Sequence, residues 1–100
     1  MSNGKVNRVV MVANSQGLHA RPASLIVKLT SQYQSRIEFV KDNSRIDGKS
    51  ILDILTLGAP QGTNLVIEAE GPDAESALEA LATLFASNFG ETDEDQTQDS

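Results

Sequence analysis

Apolar residues in this chain change period along its length, from alternation to a 3.6-residue repeat and back, and that succession limits the folds available to it. Val6 to Val12 is a β-branched run closed by Asn14-Ser15-Gln16-Gly17, which predicts a first strand ending in a turn. From Ala20 to about Ser31 the spacing is helical. Ala23, Ile26, Val27 and Thr30 follow the i, i+3, i+4, i+7 rule, and Leu25 and Leu29 widen the stripe. Arg36 to Lys41 alternates again, with Ile37 and Phe39 on one face. Asp42-Asn43 is a turn signal, and Ser44-Arg45-Ile46 returns as a short third strand that Asp47-Gly48 breaks.

Ser50 to Leu57 opens with an S-x-x-D pattern, a variant of the capping box, and stops at Gly58, which predicts a short helix. Asn64 to Glu70 alternates Leu65, Ile67 and Ala69 with Val66, Glu68 and Glu70 and reads as the fourth strand. After Gly71-Pro72, Asp73 is the expected N-cap of a last helix whose Ala74, Ala77, Leu78, Leu81, Ala82, Phe85 and Phe89 share one face. The order is β-α-β-β-α-β-α. Strands and helices with one apolar face each imply an α+β fold, an open-faced β-sandwich whose four-stranded antiparallel sheet is covered on one side by helices.

The 100 residues fit one domain, expected over residues 1–89. Residues 90–100 carry no apolar side chain and five of the fourteen acids, and are expected to form a disordered acidic tail. The net charge of −6 mostly describes that tail; the body is nearly neutral and lacks the clustered Lys and Arg of a nucleic-acid footprint. No cysteine is present, which excludes disulfide scaffolds and thiolate chemistry, and a single histidine makes a metal or hydrolase site a poor fit. No metal is expected. With no signal-peptide core and no apolar run long enough to span a bilayer, the expectation is a cytoplasmic protein without membrane insertion.

That one histidine, His19, lies in Gly17-Leu18-His19-Ala20-Arg21-Pro22-Ala23, where the first strand meets the first helix. A helix start leaves backbone N–H groups without intrahelical partners and carries a partial positive charge, so an anion held there is stabilised. The same field disfavours imidazolium, keeping a ring nitrogen available as a nucleophile near neutral pH. Arg21 can offer planar, charge-assisted bonds to phosphate oxygens. Pro22 suits a first turn, and Gly17 allows the tight bend before it. Taken alone, His19 also reads as an ordinary surface or capping residue, and Arg21 as a solvated charge.

The seven residues from Gly17 to Ala23 resemble the active-site motif of the HPr family, the histidine phosphocarriers of the phosphoenolpyruvate-dependent phosphotransferase system. Lys49-Ser50-Ile51 with Leu57-Gly58 and Gln61-Gly62 resembles the family's second motif, and Glu68-Ala69-Glu70-Gly71 its last-strand ending. The likeness runs from about Val6 to Phe89.

It implies a carrier rather than an enzyme, monomeric and without a bound cofactor, since magnesium and phosphoenolpyruvate belong to the upstream enzyme. His19 is then phosphorylated on Nδ1 by Enzyme I and passes the group to IIA domains for sugar transport, with Arg21 assisting. Ala20, Ile51, Leu52 and Leu55 match a docking patch, and Arg21, Lys28 and Lys49 match its basic rim. Burial beneath the helix is the alternative for at least one of Ile51, Leu52 and Leu55. Ser50 matches a regulatory site for an HPr kinase/phosphorylase, although Ser is also a favoured N-cap and Asp53 departs from the family's uncharged or basic residue.

Two other readings compete. One is a regulatory or nitrogen-branch phosphocarrier that controls other proteins. The other is a ligand- or RNA-binding α+β module, for which strands would need exposed aromatics and Phe39 is the one they hold.

Overall fold

The computed structural model describes residues 5–90. Its elements are β1 (Val6–Met11), α1 (Ala20–Thr30), β2 (Arg36–Lys41), β3 (Ser44–Asp47), α2 (Ile51–Leu57), β4 (Asn64–Glu70) and α3 (Ala74–Ala86), followed by a 3-10 turn, Asn88–Gly90. The sheet has the order β1-β4-β2-β3, and every neighbouring pair is antiparallel. Sequence order and spatial order differ because β4 inserts between β1 and β2, so its Leu65, Ile67 and Ala69 occupy the middle of the core.

One face of the sheet is dry. Val10, Ile37, Phe39, Leu65, Ile67 and Ala69 meet Ala23 and Ile26 of α1 and Ala77, Leu78, Leu81 and Phe85 of α3, all buried in a single cluster. Among the described residues no helix covers the other face. Across it Arg45 reaches from the edge strand to Glu38 at 2.8 Å and also to Glu68, whose carboxyl it holds below its ordinary value.

The strand and helix boundaries fall close to those expected from period and turn signals, with three local differences. β3 runs one residue further, through Asp47, because its pairing with Glu38 closes before Gly48 turns the chain. The last helix stops at Ala86 rather than continuing to Phe89. There the Ser87 hydroxyl bonds to Leu84 O at 2.9 Å, and Asn88 and Phe89 adopt φ of 58° and 56°. This local bonding competes with the helix, and the turn folds the Phe89 ring back onto Phe85 with centroids 4.8 Å apart. Gly90 closes that turn, and the rest of the expected tail, residues 91–100, lies outside the described residues.

The third difference is Asp73. It stands at the N-cap of α3, but its carboxylate does not cap the helix. It accepts instead from the N–H groups of Gln34 and Ser35, each at 2.9 Å, and from the Ser35 hydroxyl, tying the α1–β2 loop to the start of α3. The Ser35 hydroxyl above all, with the two amides, holds this carboxyl below its ordinary value. A carboxyl lowered on folding contributes stability that is complete above the ordinary aspartate value of about 3.9 and is lost as pH falls through the lowered one. Urea unfolding midpoints are therefore expected to drop on acidification below about pH 4. Asp73→Asn should flatten that drop, leaving the part due to Glu68.

Candidate functional site

The segment after β1 is fastened to the loop after α2. Val12 N–H donates to Thr63 O (2.9 Å), Gly62 N–H to Val12 O (2.7 Å), Gln61 Nε2 to Ala13 O (3.0 Å) and Leu18 N–H to Ala59 O (3.0 Å). Gly17 is required where these two loops touch. Its φ is +70°, and a Cβ there would stand 2.5 Å from Ala59 O and 2.9 Å from Pro60 Cα, both backbone atoms. The buried Leu18 side chain anchors the next residue. His19 then enters α1 as its N-cap, with φ −86° and ψ −168°.

Several features make this helix start suited to an anion. The imidazole makes no side-chain cap bond to the helix, and the residue is half-buried, with Nε2 turned to the inside. Ala23 N–H is the first to bond back, to His19 O at 3.0 Å. Pro22 has no N–H to satisfy, and the N–H groups of Ala20 and Arg21 precede the first bond of the i to i−4 ladder. No acidic residue stands in this first turn, whereas α2 has Asp53 and α3 has Glu75 there. The positive end of α1 is thus left uncompensated by its own sequence. Ala20 and Arg21 are both exposed beside His19.

The remaining expected residues lie farther away. Gly58 in the left-handed conformation ends α2 and leads into Ala59 against Leu18. At the other end of α2, Gly48 O accepts from Thr30 Oγ1 at 2.8 Å and Lys49 Nζ donates to Tyr33 O at 2.7 Å. These contacts run α2 antiparallel beside α1. Lys28, in the last turn of α1, stands about 13 Å along the axis from His19, at the end where Lys49 and Ser50 also lie. Lys49 is part of that end's framework as well as a charge near its rim.

The outer side of α2 joins the two ends. Ile51, Leu52 and Leu55 are 38%, 72% and 38% exposed. The expectation that at least one of them is buried beneath the helix does not hold, because Ile54 and Leu57 take the inward positions. Ser50 caps this helix, its Oγ accepting from Asp53 N–H at 3.2 Å. The Asp53 carboxylate does not return to Ser50 as a full capping box requires; it accepts from Asp47 N–H at 3.2 Å. Losing the cap in Ser50→Ala should lower stability by about 1 kcal/mol, read by urea unfolding.

Among the described residues no group of three or more His, Cys, Asp or Glu side chains converges to hold a metal ion, and no helix is long and apolar enough to cross a membrane. Asn14, read from the sequence as part of the turn after the first strand and given no role at the site, is buried under the loop and bonds to Gly17 O. The available signal was an Asn three residues before a Gly, the pattern of a tight turn.

A one-sided α+β sheet presents a histidine at an acid-free helix start, with an exposed apolar helix face alongside, an arrangement suited to carrying an anion on the imidazole. The family model for the HPr component phosphorylation site of the phosphotransferase system matches residues 6–87. Phosphocarrier protein HPr of Treponema pallidum is 42% identical over 86 residues, which are 86% of this chain and 98% of that protein. The crystal structure of HPr from Thermoanaerobacter tengcongensis superposes with a TM-score of 0.84 at 42% identity, covering 87% of this chain and 98% of the other. For HPr from Bacillus anthracis the TM-score is 0.78 at 40% identity, over 83% and 99%. The chain belongs to the HPr family, and it is a phosphocarrier of the phosphotransferase system rather than an enzyme.

Proposed function

We propose that His19 accepts a phosphoryl group on Nδ1 from the phosphohistidine of Enzyme I and passes it to a IIA domain. The observation that carries this reading is the start of α1, where His19 is the N-cap but its ring does not cap, and no acid opposes an anion. In each transfer an N–P bond forms on the acceptor imidazole as the N–P bond of the donor breaks, and the departing ring keeps the electron pair. The protein's contribution is positioning and charge stabilisation. The amides of Ala20 and Arg21 and the Arg21 guanidinium serve the phosphoryl oxygens, and no metal or cofactor is needed on this chain.

Partners dock along α2, with Ala20 at the edge of the contact near His19, Leu55, Leu52 and Ile51 as its apolar strip, and Lys28 and Lys49 at its far rim. Ser50 is the regulatory site in this reading, open to an HPr kinase/phosphorylase. It lies at the end of the strip away from His19, so a phosphate there acts by changing the docking surface rather than by touching the imidazole. Its added charge of about −1.5 to −2 meets Asp53 three residues on, which makes the phosphorylated cap less favourable than a helix start alone would be. The folded domain of this reading, expected over residues 1–89, is described from residue 5 onward, and residues 1–4 lie outside the described residues.

The reading is tested by a pulse and chase. Phospho-Enzyme I, prepared with phosphoenolpyruvate and magnesium, is expected to label the chain, and an added IIA domain is expected to remove the label. A label that no IIA domain of either the sugar or the nitrogen type removes would refute the carrier role assigned to the second step.

A further inference from the structure

We infer that Asn14 is a positioning residue for His19, acting through the carbonyl of Gly17; the inference rests on the reading of His19 as the phosphoryl acceptor. Asn14 is 1% exposed, a neutral polar side chain placed in the core beneath the site loop. Its Nδ2 donates to Gly17 O at 2.6 Å, and the same oxygen receives the backbone N–H of His19 at 2.9 Å. Gly17 N–H in turn donates to Asn14 O at 3.0 Å. One residue therefore grips both ends of Gly17 and fixes the carbonyl on which the His19 amide hangs.

An Asn at the first position of a turn ordinarily accepts with its side-chain oxygen from an N–H two residues on. Asn14 does the reverse. Its amide nitrogen donates forward, and its Oδ1 is buried without a hydrogen-bond partner. A buried acceptor with no donor is a cost to stability, and an alanine would not incur it. The one bond this side chain makes is spent on the Gly17 carbonyl, the group that also receives the His19 N–H. With Leu18 N–H held by Ala59 O, the Asn14 grip leaves the peptide units on either side of Leu18 little freedom to rotate. The His19 Cα, and with it the reach of the ring, is set relative to the amides of Ala20 and Arg21.

The test compares wild type, Asn14→Ala and Asn14→Ser for phosphoryl acceptance from phospho-Enzyme I, with kcat and KM measured separately and folding followed by thermal unfolding. Gly17 O keeps the His19 N–H as donor in both variants, so both are expected to fold, with midpoints lowered by the lost bond and by the void the buried side chain leaves. Their kcat is expected to fall about 10- to 100-fold, as displacement of a reacting group does. KM should stay within about twofold, because the α2 docking face is untouched. A folded variant with the kcat of wild type overturns the inference, as does a loss confined to KM. A wild-type chain that takes no phosphoryl group overturns the underlying reading instead. Should neither variant fold, the coupling across the hydrogen bond between Asn14 Nδ2 and the Gly17 carbonyl carbon is measured by NMR in the native chain; its presence supports the grip, and its absence overturns it.

Discussion

A chain carrying His19→Ala is expected to take up no phosphoryl group from phospho-Enzyme I while unfolding within about 1 kcal/mol of the wild type. Both halves of this expectation come from the start of α1. The proposed nucleophile is the single histidine of the sequence, so no second imidazole can substitute for it. The fold survives because the residue is half-buried and gives the helix no side-chain cap bond. Phosphate uptake by mass spectrometry and unfolding by circular dichroism on one preparation separate the two effects. An unfolded variant would show that the residue is structural, and uptake that persists would show that the acceptor lies elsewhere.

The second large effect is expected from Gly17→Ala. The residue sits at φ +70°, which costs an L-amino acid roughly 1–2 kcal/mol, and the new Cβ would stand 2.5 Å from Ala59 O. Backbone cannot yield there as a flexible side chain tip can, so the two loops must separate and the total loss should be roughly 2–4 kcal/mol. Because those loops also deliver His19, a larger fall in phosphoryl acceptance per folded molecule is expected than the stability loss alone explains. Gly62 is a fitting control: its φ is +90° but nothing lies within 4 Å of a Cβ, so Gly62→Ala should show the conformational cost without the clash. If the two variants lose the same stability, close packing of the loops is not what Gly17 serves.

Much of the fold was legible because its signals are local. Period-two alternation at Ile37-Phe39 and Leu65-Ile67-Ala69, helical spacing from Ala23 to Thr30, and the glycine at 58 each depend on a few neighbouring residues. The strand and helix bounds accordingly lie close to expectation. What escaped depends on partners distant in the chain. Asp73 looks like a cap from its neighbours, but its carboxylate is drawn away by backbone amides 38 and 39 positions earlier. Phe89 fits the helical stripe, yet Ser87 and Asn88 turn the chain before it arrives. Along α2 both Ile51-Leu52-Leu55 and Ile54-Leu57 are apolar, and only packing against the rest of the domain decides which set faces inward.

The candidate site divides in the same way. The motif around His19 was visible, as was the helix start that gives it chemistry. The antiparallel run of α2 beside α1, which puts Ser50 and Lys49 at the end remote from His19, was not, since it is set by Thr30 to Gly48 and by Lys49 to Tyr33. Nor was the function of Asn14, whose bond to Gly17 O reads as an ordinary turn until the burial and direction of its side chain are known.

The most direct measurement is the stoichiometry and chemical lability of phosphate on the wild-type chain after incubation with phosphoenolpyruvate, magnesium and catalytic Enzyme I. One phosphoryl group per chain is expected, lost in acid, stable in alkali, and assigned to His19 Nδ1 by phosphorus and nitrogen NMR. No phosphate, or an acid-stable phosphate such as one on Ser50, would contradict it.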